Sequence, residues 1–148
     1  MEYDCKIITD ASFCHRTKAC AYAAWIQTGD HVQHLVDNIQ ANSINVAERL
    51  AIIKALKVAR NRGLLKVLVL TDSQNAILKL STGRHAVPSG FTAIHLRHIK
   101  GHSSKKHMDE NSLAQRWCHQ AAKERMQRGR SKTQKVKDAP ASILDIYK

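Results

Sequence analysis

The segment LLKVLVLTD, residues 64–72, most constrains the fold of this chain, because it is almost continuously apolar and ends in an aspartate. A strand with one solvated face would alternate apolar and polar residues, whereas a run of this kind is typical of a strand buried on both faces. Such strands lie inside sheets that carry helices on both sides. The segment therefore predicts an α/β protein.

Periodicity and turn signals on either side of this strand predict the remaining elements. Residues 19–28 and 31–38 are predicted strands joined by a Gly29-Asp30 turn, and apolar residues recur at helical spacing between 44 and 62. The order is βββαβαβα, which predicts a mixed five-stranded sheet flanked by helices. The predicted strands are 3–10, 19–28, 31–38, 64–72 and 91–99, and the predicted helices are 44–62, 73–81 and 109–126.

The chain carries many more basic than acidic side chains: 24 Lys and Arg against 12 Asp and Glu, for a net charge of +12. Such a charge favours a polyanionic partner, and nucleic acid is the usual one. Seven basic residues and one acidic residue lie between positions 123 and 137. We predict one domain over residues 1–126, followed by a basic and mostly flexible tail over 127–148, whose ILDIYK end could dock.

Composition also bears on the compartment. No apolar run approaches the roughly 18 residues of a membrane-spanning helix, and the first residues lack the regions of a signal peptide. The four cysteines show no CxxC pairing and suit a reducing compartment. Cys14, His15 and Cys20 lack a fourth ligand for zinc, so free thiols are the preferred interpretation. We expect a cytoplasmic protein, and a monomer because the chain has no coiled-coil heptads.

Three acidic residues stand where a site could form. Asp10 and Asp72 each end a predicted strand, and in sheets of this kind ligands gather beyond the carboxyl ends of the strands. Glu48 lies in the first turns of the 44–62 helix. Taken singly, Asp10 could form a turn, Asp72 could cap the next helix and Glu48 could be a solvated first-turn acid. Taken together, they predict a site for a divalent cation, which would relieve their mutual repulsion.

Five short strings stand out along the chain: ITDAS at 8–12, NVAERLAIIKAL at 45–56, VLTDSQ at 69–74, KGH at 100–102 and SLAQRW at 112–117. In order and spacing they resemble the motifs of the type 1 ribonuclease H family (ribonuclease HI). The resemblance covers about residues 4–124 and implies a ribonuclease H-like fold. It also implies an endonuclease that hydrolyses the RNA strand of RNA–DNA hybrids by a two-metal-ion mechanism, with Mg²⁺ or Mn²⁺ as its cofactor.

The resemblance assigns roles residue by residue. Asp10, Glu48 and Asp72 correspond to three metal-binding carboxylates of the family, and Asn111 takes the position of the fourth. His102 corresponds to a mobile-loop histidine that assists proton transfer or product release. The residues expected to contact the hybrid are Ser12, Asn45, Ser73, Gln74, Arg97, Lys100, Lys105 and Lys106.

Three features depart from the family pattern. The turn after Asp10 has no glycine, the basic protrusion of some members is absent, and Asn111 offers a neutral oxygen where the family has an aspartate. Asp109 would point to another side of the helix, so we expect it to be a cap. Two alternatives stay open: a ribonuclease H-like module that binds nucleic acid without cutting it, and a DNA nuclease or junction resolvase of the same fold.

Overall fold

The computed structural model describes residues 3–82, 87–100 and 109–135, with side chains described as far as residue 129. Over these residues the predicted order βββαβαβα is confirmed. The strands are β1 (Cys5–Phe13), β2 (Cys20–Thr28), β3 (His31–Asn38), β4 (Lys66–Thr71) and β5 (Ala93–His98). The helices are α1 (Ile44–Asn61), α2 (Gln74–Ser81) and α3 (Glu110–Lys135).

The strands form one mixed sheet in the order β3-β2-β1-β4-β5. β1 pairs antiparallel with β2, which pairs antiparallel with β3. On its other side β1 runs parallel to β4, and β4 runs parallel to β5. The predicted mixed five-stranded sheet is therefore confirmed, and β1 is its central strand.

β4 is the strand that the continuous apolar run predicted, and it is buried on both faces. Val67 and Val69 belong to the core beneath α1 and α2, whereas Leu68 and Leu70 belong to the core beneath α3. This division follows from the alternation of side chains along a strand. The sheet thus carries α1 and α2 on one face and α3 on the other.

α1 packs closely against the sheet through small side chains. Ala47, Ala51, Ala55 and Ala59 recur every fourth residue, on one face of the helix, and are fully buried. The helix begins at a serine cap, because the Ser43 hydroxyl accepts a hydrogen bond from an N–H of the first turn at 3.2 Å. This cap and this alanine stripe fix the position of the first turns of α1 over β1.

α3 is longer than predicted. It was expected to end near residue 126 but continues to Lys135, so the segment 127–135 is helical, and residues 136–148 lie outside the described part of the chain. The apolar periodicity that marks a helix stops near Met126, whereas the helix is also held by polar contacts with the end of β3. The Arg125 guanidinium donates to the Asn38 side chain at 2.9 Å, and Gly129 passes close to the same side chain. No described helix could span a membrane.

Candidate metal centre

Two of the three predicted acids are brought together by the parallel pairing of β1 and β4. Ile8 of β1 is level with Leu70 of β4. Asp10 lies two residues beyond the first of these, and Asp72 lies two residues beyond the second. Their carboxylates therefore reach the same edge of the sheet, where ligands collect in folds with parallel strands.

Glu48 approaches this edge from α1. It is buried beside Ala47 and Ala51 on the helix side that meets the sheet, which excludes its reading as a solvated first-turn acid. One carboxylate oxygen from each of Asp10, Glu48 and Asp72 lies within 4.8 Å of the other two. The structure thus brings together the three acids that the sequence singled out.

The electrostatics of this cluster favour a cation. Asp10 and Glu48 are only 3% and 6% exposed, and burial raises the pKa of both carboxyls, with the charge of Asp72 raising each further. Glu48 Oε2 is buried without a hydrogen-bond partner among the described residues. No described lysine or arginine forms an ion pair with any of the three. Two buried carboxylates and a half-buried third, none paired with a described lysine or arginine, form an oxygen donor set that suits Mg²⁺ or Mn²⁺.

The opposite side of the cluster is formed by two residues of α3 that the sequence did not single out. Gln115 donates a hydrogen bond from Nε2 to Asp72 Oδ2 at 3.3 Å. His119 Nδ1 lies 2.9 Å from Asp10 Oδ2. Residues four apart lie on the same side of a helix, so the two side chains reach neighbouring acids from one face of α3.

Asn111, which the resemblance predicts as the fourth metal ligand, contacts Lys6 and none of the three acids among the described contacts. Its side-chain oxygen accepts a hydrogen bond from Lys6 Nζ at 2.5 Å. Lys6 lies near the beginning of β1, four residues before Asp10, which corresponds to roughly 13 Å along a strand. Asn111 thus binds Lys6 one helical turn before Gln115. Among the described side chains of α3, Gln115 and His119 contact the acids.

The family pattern of an acid followed by x-Leu-Ala has two partial matches on α3, NSLA at 111–114 and HQAA at 119–122. The first match keeps the leucine, but in the structure Leu113 is 57% exposed. The residues that face the sheet are Ala114, Cys118 and Ala122. This stripe of small side chains is the signal that could have identified the residue after Cys118.

Two capping predictions can be compared with the structure. Asp109 accepts a hydrogen bond from the Ser112 N–H at 2.8 Å, as expected of a cap on α3. Ser73, and not Asp72, caps α2, because the Ser73 hydroxyl accepts from the Ala76 N–H at 3.1 Å. The Asp72 carboxylate is therefore not used as a helix cap and remains within the acidic cluster.

The residues expected to contact a hybrid occupy different surroundings. Asn45 and Gln74 are exposed in the first turns of α1 and α2, and Arg97 and Lys100 are exposed on β5 and just beyond it. Ser12 is half-buried in β1, and Ser73 serves as the α2 cap. The positions that fall outside the described residues are His102, Lys105 and Lys106.

The four cysteines form no disulfide. Cys14, His15 and Cys20 were weighed as a zinc site, but they do not form a cluster of ligand atoms. In the described part of the chain, the acids 10, 48 and 72 form the one such group.

A five-stranded sheet in this order, with acids from β1, α1 and the end of β4 clustered at one edge, defines a ribonuclease H-like protein. The profile of the RNase H family matches residues 2–137, and the chain belongs to that family. No curated protein matches the sequence significantly.

Solved structures of RNases H have the same fold. RNase H1 from the archaeon Halobacterium salinarum is 20% identical, with a TM-score of 0.58 over 81% of this chain and 98% of that one. The N-terminal RNase H domain of a Mycobacterium tuberculosis protein is 21% identical, with a TM-score of 0.56 over 81% and 95%. LC11-RNase H1, solved in complex with an RNA/DNA hybrid, is 18% identical, with a TM-score of 0.56 over 81% and 97%.

Proposed function

We propose that this protein is an endonuclease that hydrolyses the RNA strand of RNA–DNA hybrids with divalent metal ions held by Asp10, Glu48 and Asp72. The observation that carries the proposal is the convergence of these three carboxylates, two of them buried, with no lysine or arginine of the described residues paired to them. A protein that only binds nucleic acid gains nothing from clustered acids, because they repel phosphate. Family membership and the hybrid bound by LC11-RNase H1 support the same substrate class.

The residues of the chain prepare the site for this chemistry. Asp10 and Glu48 are fixed by burial in β1 and α1, and Asp72 is oriented by the Gln115 amide. When bound, Mg²⁺ or Mn²⁺ ions activate the attacking water and stabilise the departing 3′-oxygen. Because the acids sit on rigid elements, little reorganisation is needed when substrate arrives.

The exposed polar side chains around this edge would contact the hybrid. Asn45 and Gln74 stand in the first turns of the two helices on the α1 face, while Arg97 and Lys100 add positive charge. Contacts of this type position the duplex and are salt-sensitive. The 2′-hydroxyl is the group by which the RNA strand would be distinguished. We assign His102 the role of assisting proton transfer or product release.

The decisive experiment is cleavage of a labelled RNA–DNA hybrid in Mg²⁺ and in Mn²⁺ by the native protein and by Asp10→Asn and Asp72→Asn. Native protein should release short RNA fragments, and both variants should lose at least about a hundredfold in rate, since each removes a metal-binding charge. The matched control is Asp30→Asn, which changes an exposed acid in the β2–β3 turn and should cut normally. Absence of products in both metals, or cleavage unaffected by the two site variants, would disprove the proposal.

A second function is favoured by one observation. α3 presents Gln115 and His119 to the acids, so it adds no negative charge to the centre. A non-cutting hybrid-binding module would bind hybrid in a salt-dependent manner, would form no metal-dependent product, and would keep its affinity in Asp72→Asn. The same substrates, with duplex DNA and duplex RNA added, distinguish the two functions.

A further inference from the structure

We propose that His119 is a nitrogen ligand of the bound metal ion, and that this ligand gives the site a preference for Mn²⁺ over Mg²⁺. The inference rests on the metal centre of the proposed function. It concerns α3, where the ligand predicted from the sequence, Asn111, is engaged with Lys6.

The geometry of the His119–Asp10 contact suits two ligands of one ion. Their atoms Nδ1 and Oδ2 lie 2.9 Å apart. Adjacent ligands of an octahedral ion, each at about 2.1 Å from it, are separated by about 3.0 Å. An ion could therefore bind both atoms without displacement of α3, with the imidazole proton on Nε2.

The exposure of the two side chains also fits. The Asp10 side chain is only 4% exposed, whereas the His119 side chain is 44% exposed. The imidazole thus contacts the acid cluster and is also open to solvent. It needs no rearrangement of the core to exchange its contact with Asp10 for a bond to the metal.

α3 has no acid available for this position. Asp109 accepts a hydrogen bond from a backbone N–H of the first turn, Glu110 accepts from a β2 side chain, and Glu124 accepts from a glutamine one turn away. Gln115 uses its amide nitrogen on Asp72. Of the α3 side chains described, His119 is the metal-binding type that contacts the cluster.

A nitrogen donor changes which ion the centre favours. Mg²⁺ selects oxygen ligands and binds through carboxylates and water. First-row transition ions accept imidazole, and Mn²⁺ combines this with an affinity for carboxylate oxygen. Replacement of an oxyanion by imidazole therefore lowers the affinity for Mg²⁺ more than that for Mn²⁺.

The first test is pulsed electron paramagnetic resonance of the native protein with Mn²⁺ and no nucleic acid. A ¹⁴N coupling should be present, and selective ¹⁵N labelling of histidine should convert it to a ¹⁵N signal. His119→Asp should abolish the coupling, whereas the same change at the exposed His31, at the start of β3, should leave it intact. Absence of a histidine coupling in the native protein, or its persistence in His119→Asp, would overturn the inference.

The second test is calorimetric titration with MnCl₂ and with MgCl₂. The dissociation constant for Mg²⁺ divided by that for Mn²⁺ should fall by about tenfold in His119→Asp, comparable to the smaller effects of altering a ligand environment. The same ratio should not change in His31→Asp. An unchanged ratio in His119→Asp would contradict the stated preference. Since both tests omit nucleic acid, Mn²⁺ binding through His119 without hybrid cleavage would disprove the proposed function alone. Cleavage without a histidine coupling would disprove this inference alone.

Discussion

The surroundings of Asp10 act on the pKa of its carboxyl in both directions. Burial and the charge of Asp72 raise the pKa of its carboxyl, while the hydrogen bonds of Glu48 and His119 lower it. The pKa of Glu48 is raised by burial and by the charges of both aspartates. Without a bound metal ion, folding therefore disfavours the ionised form of these two carboxyls at neutral pH. The unfolded chain carries no such penalty.

This conflict predicts that Glu48→Gln stabilises the metal-free protein, and that the gain increases with pH. A carboxyl whose pKa is raised by folding contributes stability that is complete below its unfolded pKa of 4.5 and is lost as the pH rises toward the folded pKa. The neutral amide avoids this loss. The free energy of unfolding of the variant, relative to that of the native protein, should therefore increase by at least about 1 kcal/mol between pH 5 and pH 8. The measurement is urea unfolding in a chelator at both pH values.

The matched control for this experiment is Glu124→Gln, which makes the same change at an exposed position of α3. Its stability difference from the native protein should not depend on pH over the same interval. If Glu48→Gln and Glu124→Gln behaved alike, burial of the acid cluster would not be the cause.

At the scale of single elements, α1 is the support of the site, because it carries Glu48 and packs through its buried stripe. Ile52 is fully buried on this helix, one turn after Glu48. We predict that Ile52→Ala lowers the free energy of unfolding by about 2–4 kcal/mol, through lost apolar burial and a cavity. Leu78→Ala is the control, since Leu78 is 60% exposed on α2 and should change stability by less than about 0.5 kcal/mol. Equal effects in denaturant titrations would contradict the packing described.

The elements differ in how far their sequences determined them. The run at β4 identified a central strand because only burial on both faces explains uninterrupted apolar residues, and the Gly29-Asp30 turn identified the β2–β3 hairpin. The predicted strand ends at Asp10 and Asp72 then indicated where the acids cluster, although β1 continues past Asp10 to Phe13. α3 was the exception: NSLA and HQAA are both compatible with a helix, and only its packing against the sheet selects the second. Its end was missed because part of its support comes from Asn38 of β3, which is distant in sequence and lies against Arg125 and Gly129.

At the scale of the whole molecule, the positive charge is concentrated on one long helix. Residues 123–135 contain six basic residues and one acidic residue, whereas residues 136–148 contain two of each. The basic segment that was predicted to be a flexible tail is therefore, for most of its charge, part of α3. The backbone of a helix places such residues at regular intervals along one axis.

This arrangement predicts that Lys123→Gln combined with Arg128→Gln weakens hybrid binding and reduces its salt dependence. Both residues are exposed, and the loss of two phosphate contacts should lower the slope of log K against log salt by about 1–2. Fluorescence anisotropy in a chelator, across a range of KCl concentrations, measures this slope. A chain shortened by residues 136–148 should keep the native slope, because that segment has no net charge, and a larger effect of the truncation would place the contacts there instead.

The central position of β1 has a consequence for how the protein is made. Its antiparallel partners β2 and β3 follow it directly in the chain, so that half of the sheet can form early in translation. Asp72 is synthesised later with β4, and α3, which covers the other face and brings His119 to Asp10, leaves the ribosome last of the described elements. At ribosomal speeds of about 5–20 residues per second, a nascent chain spends seconds with β1 formed and the metal centre incomplete. The nuclease we propose would therefore become active only after α3 has been made.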